Sequence, residues 1–210
     1  MDKEDVNKLL GLPLPELIVR ANKIRQQFAK GGIELCNILN AKSGSCAEDC
    51  KFCAQSARHK TKTAVYPLKS KAEMLEAAGR AKKMGAQRFD IVTSGDKLSK
   101  KEFGVIVEAI GEITEKVKIK MCASLGSMGD EEFSLLKKAG LSRYHHNIES
   151  SPRFFPKIVS THTFADRLNT IKAAKRAGLE VCSGGIIGMG EIMDDRIEMA
   201  LILKELDVDS

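Results

Sequence analysis

Segments with helical periodicity alternate with short β-branched runs through most of the chain, and this alternation restricts the fold more than any other feature. Residues 72–84, 99–116, 130–139, 163–177 and 193–206 read as helices. Residues 33–39, 88–93, 118–125, 143–149 and 180–187 read as strands. Gly85, Gly140 and Gly178 follow three of the helices, where a left-handed residue ends a helix and turns the chain back. Strands separated by helices of ten or more residues pair in parallel through right-handed crossovers. The predicted fold class is α/β: a partial (β/α) barrel of the TIM type with about five βα units.

Two further helices precede the first strand. Residues 3–10 and 14–30 are assigned to them, with Asp2 and Asp5 suited to an N-terminus. Leu17, Ile18, Ala21, Ile24 and Phe28 form a stripe of helical period, and Gly31-Gly32 stops the second helix. The expected organisation is a helical extension over residues 1–32 and an incomplete barrel over 33–210. A complete eightfold barrel typically needs about 250 residues. Asp207-Val-Asp-Ser looks like the threshold of a sixth strand, so the chain is expected to be a fragment of a longer barrel.

Composition excludes several classes. The chain has no run of about 18 apolar residues, so no membrane span is expected, and its charged first residues lack an apolar signal region. A reducing cytoplasm is the expected compartment, which keeps thiols available for metal. Net charge is +6, but Lys and Arg are interspersed with Glu and Asp. Trp is absent and aromatics are 5%, which leaves little surface for stacking bases, so no nucleic-acid partner is expected.

Chemistry concentrates in Gly44-Ser-Cys-Ala-Glu-Asp-Cys-Lys-Phe-Cys. Cys46, Cys50 and Cys53 have the spacing C-x3-C-x2-C. Three thiolates this close can hold three irons of a cubane [4Fe-4S] cluster, and the fourth iron is left open for a small chelating molecule. That arrangement lets a reduced cluster split S-adenosylmethionine. The same thiols could bind zinc with His59 as fourth ligand, although no second C-x2-C pair exists. Other polar residues fall where a parallel barrel gathers function, at the C-terminal ends of strands. These are Thr93-Ser-Gly-Asp, Asn147 and Glu149, and the run from Gly184 to Glu191. That glycine run is not a dinucleotide fingerprint. It is either a bulged strand end or a place of close backbone approach to a flat ligand such as adenine. Cys122 shares a strand face with Lys120 and Ser124, and Cys122 and Cys182 are either small core residues or ligands facing a lumen. His145 and His146 point to opposite faces. Arg167 is either a surface arginine or a fork folded back onto a carboxylate.

Several segments together resemble the biotin synthase family of radical S-adenosylmethionine enzymes. They are Leu35-Cys-Asn-Ile-Leu-Asn-Ala-Lys-Ser-Gly-Ser-Cys through Cys53-Ala-Gln-Ser-Ala, Lys120-Met-Cys-Ala-Ser-Leu-Gly, Tyr144-His-His-Asn-Ile-Glu-Ser-Ser-Pro, and Leu179-Glu-Val-Cys-Ser-Gly-Gly-Ile-Ile-Gly-Met-Gly-Glu191. The resemblance implies a [4Fe-4S] cluster on Cys46, Cys50 and Cys53, with Phe52 beside bound S-adenosylmethionine. It implies that Thr93, Ser94 and Gly95 meet the methionine amino group and that Arg167 pairs with the methionine carboxylate. Asn147 and Glu149 are implied to touch cofactor ribose and substrate, and Gly184, Ile186, Gly188 and Glu191 to form the adenine side. Arg88 and Lys42 are implied substrate contacts.

The implied reaction converts dethiobiotin to biotin with sulfur from an auxiliary iron–sulfur cluster. The implied partners are a donor such as flavodoxin or ferredoxin and a second copy in a homodimer. In the common form of the family a [2Fe-2S] auxiliary cluster rests on three cysteines and one arginine. Cys122 and Cys182 match two of these, but Asp90 stands where the strand-two cysteine is expected. The wording His146-Asn-Ile-Glu-Ser and Thr161-His-Thr resembles a divergent, mostly anaerobic branch with a sulfur-rich auxiliary cluster, although Val159-Ser160 replace a cysteine common there. A relative that makes the radical without inserting sulfur, such as a hydrogenase-cofactor maturase or a mutase, is the competing enzyme reading.

Overall fold

The computed structural model describes residues 3–29 and 32–210. Asp2 and Gly31, used above as helix signals, lie outside the described residues. The elements run α1 (Lys3–Leu10), α2 (Leu14–Phe28), β1 (Cys36–Lys42), α3 (Lys71–Lys83), β2 (Arg88–Thr93), α4 (Lys100–Lys116), β3 (Lys120–Ser124), α5 (Asp130–Ala139), β4 (Leu141–His145), α6 (Phe155–Ile158), α7 (Phe164–Arg176), β5 (Glu180–Cys182) and α8 (Met193–Glu205). The five strands form one parallel sheet in sequence order, and the sheet is open rather than closed into a barrel.

Helix starts are written locally. Ser70, Ser99 and Thr163 each cap a helix by accepting from the backbone N–H three residues on, and Glu73, Glu102 and Asp166 return the bond to the cap's own N–H. Gly140 ends α5 at φ 105°, and Gly85 and Gly178 follow α3 and α7 at 88° and 72°.

The sheet has two unlike faces. Phe89 and Ile91 of β2, Met121 and Ala123 of β3, Tyr144 of β4 and Val181 of β5 are buried against the helices. They meet Met74 and Ala78 of α3, Ile106, Ile110 and Ile113 of α4, Phe133 and Leu136 of α5, and Ile171 and Ala174 of α7. The inner face carries Arg88, Asp90, Cys122, Arg143, His145 and Glu180. It is tied by Arg88 to Glu180 (3.0 Å) and Arg143 to Glu180 (2.9 Å). This alternation follows from the two-residue period of a strand.

Several boundaries differ from the sequence expectation. β1 starts at Cys36 rather than 33, because Leu35 still ends the approach, its carbonyl accepting from Gln87 and Arg88. β4 and β5 stop earlier than expected, at His145 and Cys182. Beyond them the strands stay together only through single contacts, such as Ile148 N–H to Gly184 O (3.0 Å) and Ile186 N–H to Glu149 O (2.9 Å). Glu149 has φ 64°, which takes it out of strand geometry. The short α6 carries Pro156 in its first turn and too few residues for periodicity to reveal it. The final residues follow β5 as expected of a sixth-strand threshold: Asp209 and Ser210 donate to Val181 O (2.9 and 3.2 Å), and Ser183 donates to Ser210 O (3.0 Å). Among the described residues no helix is long and apolar enough to cross a membrane.

Tyr144 ties the core to the rim. It is fully buried, its hydroxyl accepts from Leu125 N–H (3.1 Å) and donates to Gly126 O (2.6 Å), and its ring meets Phe133 edge-on. Tyr144→Phe strands both backbone groups without a partner. It is expected to lower unfolding free energy by about 1–3 kcal/mol, seen as a lower urea midpoint at unchanged slope.

Candidate active site

The cysteine loop leaves β1 through Gly44 and Ser45, both in the left-handed region at φ 74° and 52°. Gly44 is required there, since a Cβ would come within 2.6 Å of Val65 Cγ2. The loop is then fixed by its own backbone. Cys46 N–H donates to Gln55 O (3.1 Å), Ala57 N–H to Cys46 O (2.8 Å), and Arg58 Nε to Ala47 O (2.8 Å). The Gln55 side chain accepts from Gly44 N–H (2.5 Å) and Ser43 Oγ (3.1 Å).

A second clamp comes from the far side of the sheet. Asp49 accepts from the Ser160 hydroxyl and from the N–H groups of Ser160 (2.9 Å) and Thr161 (3.2 Å), which together hold its carboxyl well below the ordinary range. Burial raises Glu48, but hydrogen bonds from Thr161 and from His162 Nδ1 (2.7 Å) outweigh it and keep the carboxyl low. Lys51 N–H donates to Ile158 O (3.0 Å), and Cys50 and Phe52 pack on Phe154, Phe155, Ile158 and Val159. The segment after α6 therefore positions the loop.

These contacts frame a cleft of about 230 Å³. Cys46, Cys50, Cys53 and Phe52 line one side, Thr93, Ser94 and Gly95 the end of β2, and Glu149 and Arg167 the opposite wall. Arg167 does fold back: its Nε donates to Asn147 O (2.8 Å) and its Nη2 lies 3.3 Å from Glu149 Oε1. Burial raises the Glu149 carboxyl, with Arg167 opposing, and burial lowers the Arg167 guanidinium. Burial pushes the Cys50 thiol up to about 12, with Cys53 adding to the shift, so metal binding there must displace a proton. Two buried polar atoms of the lining, Thr93 Oγ1 and His146 Nε2, have no hydrogen-bond partner. A cleft with unpaired polar atoms, an arginine and three thiols fits a polar cofactor beside an iron–sulfur cluster.

The remaining predicted residues stand elsewhere. Asn147 Oδ1 accepts from Gly184 N–H (3.2 Å), which ties the glycine run to the cleft wall. Gly184 and Ile186 pair with the Ile148–Glu149 backbone, but they do not line the cleft. The Glu191 carboxylate accepts from the N–H groups of Gly188 and Met189 (both 2.8 Å), lies 2.8 Å from Arg196, and is held down to about 2. Lys42 is ion-paired with Glu102 (2.7 Å), and Arg88 with Glu34 (2.9 Å) and Glu180 (3.0 Å); neither lines the cleft. Cys122 is buried on the inner face, while Cys182 is half-buried. His145 and His146 do diverge: His145 Nδ1 is 3.6 Å from Asp90 Oδ2, and His146 is buried beside Tyr144.

Glu48 and His162 stand inside segments singled out above but were given no role there, and only tertiary contact reveals it. Cys36 lies in the matched segment that starts at Leu35 and was likewise given no role. Among the described residues no three His, Cys, Asp or Glu side chains gather as a single metal ion would require. His59 Nε2 is 3.0 Å from Cys50 O, which leaves the zinc alternative without a fourth ligand in place.

Residues 42–203 match the model of the Radical SAM superfamily. The chain is 49% identical over 205 residues to biotin synthase of Thermotoga petrophila, covering 98% of this chain and 68% of that one. The chain belongs to the biotin synthase family. Biotin synthase of Clostridium perfringens is 46% identical over 210 residues, 100% of this chain and 66% of that one. The chain thus spans about two thirds of the length of the curated relatives it matches. Among solved structures, methylornithine synthase superposes with a TM-score of 0.83 at 21% identity, over 99% of this chain and 62% of that one. The [FeFe]-hydrogenase maturase of Carboxydothermus hydrogenoformans does so with a TM-score of 0.73 at 22% identity, over 88% and 44%. These two likenesses show the fold alone. Membership in the radical SAM superfamily implies a [4Fe-4S] cluster and S-adenosylmethionine as cofactors.

The Glu149 carboxyl provides a pH test. Its folded-state pKa lies above the ordinary value of 4.5, so its contribution to stability is present below that value and is lost as pH rises through the folded pKa. Glu149→Gln cannot titrate. The urea midpoint of the wild-type chain, measured against that of Glu149→Gln, is expected to fall between pH 4.5 and pH 7. A constant difference would mean that the carboxyl is not perturbed.

Proposed function

We propose that Cys46, Cys50 and Cys53 hold a [4Fe-4S] cluster with one open iron, and that the adjoining cleft binds S-adenosylmethionine. Held by these thiols, the cluster would supply the electron for reductive cleavage of S-adenosylmethionine. The observation that carries the reading is the convergence of the three thiols, Arg167 and two unpartnered polar atoms on one cleft.

Each residue then has a physical task. Arg167 presents a desolvated guanidinium, suited to a carboxylate, and is oriented by Asn147 O and Glu149. Thr93, Ser94 and Gly95 offer polar atoms at the end of β2 for an ammonium group. Phe52 packs with the α6 cluster and shields the cysteine loop on its apolar side. Asn147 and Glu149 lie at the end of β4, within reach of ribose hydroxyls and substrate. Gly184, Ile186, Gly188 and Glu191 form the wall beyond Asn147, where the adenine is assigned. Arg88 is assigned to the substrate carboxylate and Lys42 to the lining of the same cavity.

For the whole protein, the reaction we assign is conversion of dethiobiotin to biotin, with sulfur from an auxiliary iron–sulfur cluster of [2Fe-2S] or sulfur-rich type. Identities of 46% and 49% with biotin synthases support this reading over the maturase or mutase alternative. Flavodoxin or ferredoxin is the assigned electron donor, and the compartment is the cytoplasm.

The test is reductive cleavage under dithionite, read as 5′-deoxyadenosine by chromatography. Cys46→Ala, Cys50→Ala and Cys53→Ala are each expected to abolish it. Cleavage retained in any of the three would refute the assignment of that thiol. Arg167→Ala is expected to keep the cluster absorbance and weaken binding of S-adenosylmethionine by about 10–100-fold, as for loss of a desolvated charge pair.

A further inference from the structure

One stretch departs from the interspersed charge of the chain. From Cys50 to Ala72 there are six Lys and Arg residues and no carboxylate, although the chain carries 28 Asp and Glu. Lys69 and Lys71, at its end, are ion-paired with Glu73 and with Glu108 and Glu112. Lys51, Arg58, Lys60 and Lys62 are exposed, and among the described residues none of them has an ion-pair partner. Lys157 of α6 joins them: Lys51 Nζ donates to Lys157 O (2.7 Å), and the exposed Lys157 places its ammonium over the Phe154 ring, 5.6 Å from the centroid.

This basic shell lies directly against the cysteine loop. The carbonyls of all three thiol-bearing residues face it. Cys46 O accepts from Ala57 N–H (2.8 Å), Cys53 O accepts from Ser56 N–H (3.4 Å), and Cys50 O meets His59 Nε2 (3.0 Å). Arg58 Nε donates to Ala47 O (2.8 Å) and Thr61 Oγ1 to Ala54 O (2.8 Å). Residues 56–62 do not line the cleft assigned to S-adenosylmethionine. The loop thus has the cleft on one side and a cationic surface on another. Its two carboxylates, Glu48 and Asp49, are engaged by His162, Ser160 and Thr161 and are not paired with these cations.

Small side chains stand among the charges. Ala47, Ala54 and Ala57 are exposed, and Ala47 and Ala54 each follow a cysteine of the trio. A partner can therefore come close to the thiols. Closeness matters for electrons, because transfer between proteins falls steeply with distance. Cations around small exposed residues suit a brief encounter with an anionic surface, since redox encounters bury little area and are steered by charge.

We propose that Lys51, Arg58, Lys60, Lys62 and Lys157 form the docking surface for an acidic one-electron carrier protein. This rests on the reading of the trio as a [4Fe-4S] site and adds the side on which its electron arrives. In the docked pair the carrier is oxidised by one electron and the cluster is reduced by one; no bond or proton changes hands at this step.

Binding is tested first without the cluster. Flavodoxin and, in parallel, ferredoxin are titrated into the apoprotein by calorimetry. At least one is expected to bind, and to bind more weakly as salt rises from about 0.1 M to about 1 M, where the screening length drops from about 10 Å to about 3 Å. Lys60→Glu with Lys62→Glu is expected to weaken binding by about tenfold or more and to flatten the salt dependence. Lys60→Arg with Lys62→Arg is expected to bind as the wild type does. So is Lys83→Glu with Lys138→Glu, which changes net charge equally in the last turns of α3 and α5. The reconstituted protein gives the second readout. Lys60→Glu with Lys62→Glu is expected to slow 5′-deoxyadenosine formation by about tenfold or more with the reduced carrier and to leave it unchanged with dithionite. Absence of binding, binding that both charge reversals weaken alike, or binding that neither weakens would overturn the docking surface. Duplex DNA that displaces the carrier and depends on the same lysines would overturn it too. Absence of cleavage with dithionite in the wild type overturns the cleft reading instead, and the apoprotein titration still decides the docking surface.

Discussion

The parallel register of β1 to β5 is the constraint on which the rest depends. It gives every strand the same polarity, so all five chain ends emerge on one rim. The cysteine loop, Thr93 to Gly95, Asn147 and Glu149 become neighbours for that reason, although they are far apart in sequence. The same register separates two faces. The outer one buries Phe89, Ile91, Met121, Tyr144 and Val181 and supplies the hydrophobic stabilisation. The inner one is left with arginines, carboxylates and thiols, which must be satisfied by one another or by a ligand.

On that rim, the cysteine loop is held from two directions. Its own backbone bonds and Gln55 fix one side. Asp49 and Glu48, gripped by Ser160, Thr161 and His162, fix the other. The double clamp holds the loop that carries the three thiols through contacts of the protein alone. Arg167 and Glu149 form the opposing wall. Their burial means that each is stabilised chiefly by the other and by the backbone at Asn147.

Much of the fold was legible in the sequence because its signals are local. Serine and threonine caps, glycine stops and helical stripes each act within a few residues, and they located α3 to α5, α7 and α8 closely. β2 was also located correctly, since its β-branched run is bounded by clear turns. The ends of β4 and β5 were not legible, because they depend on the left-handed Glu149 and on cross-strand pairing. The cysteine trio was legible from spacing alone. Its support was not: Glu48, Ser160 and His162 are more than 100 residues apart in part and meet only in the folded chain.

The central claim is that three thiols leave one iron open to S-adenosylmethionine. Mössbauer spectroscopy of the reconstituted chain, with Cys122 and Cys182 replaced so that the cleft cluster is read alone, tests it most directly. The account predicts that adding S-adenosylmethionine shifts the isomer shift of one iron in the cubane and leaves the others unchanged. A spectrum identical with and without the cofactor would contradict it.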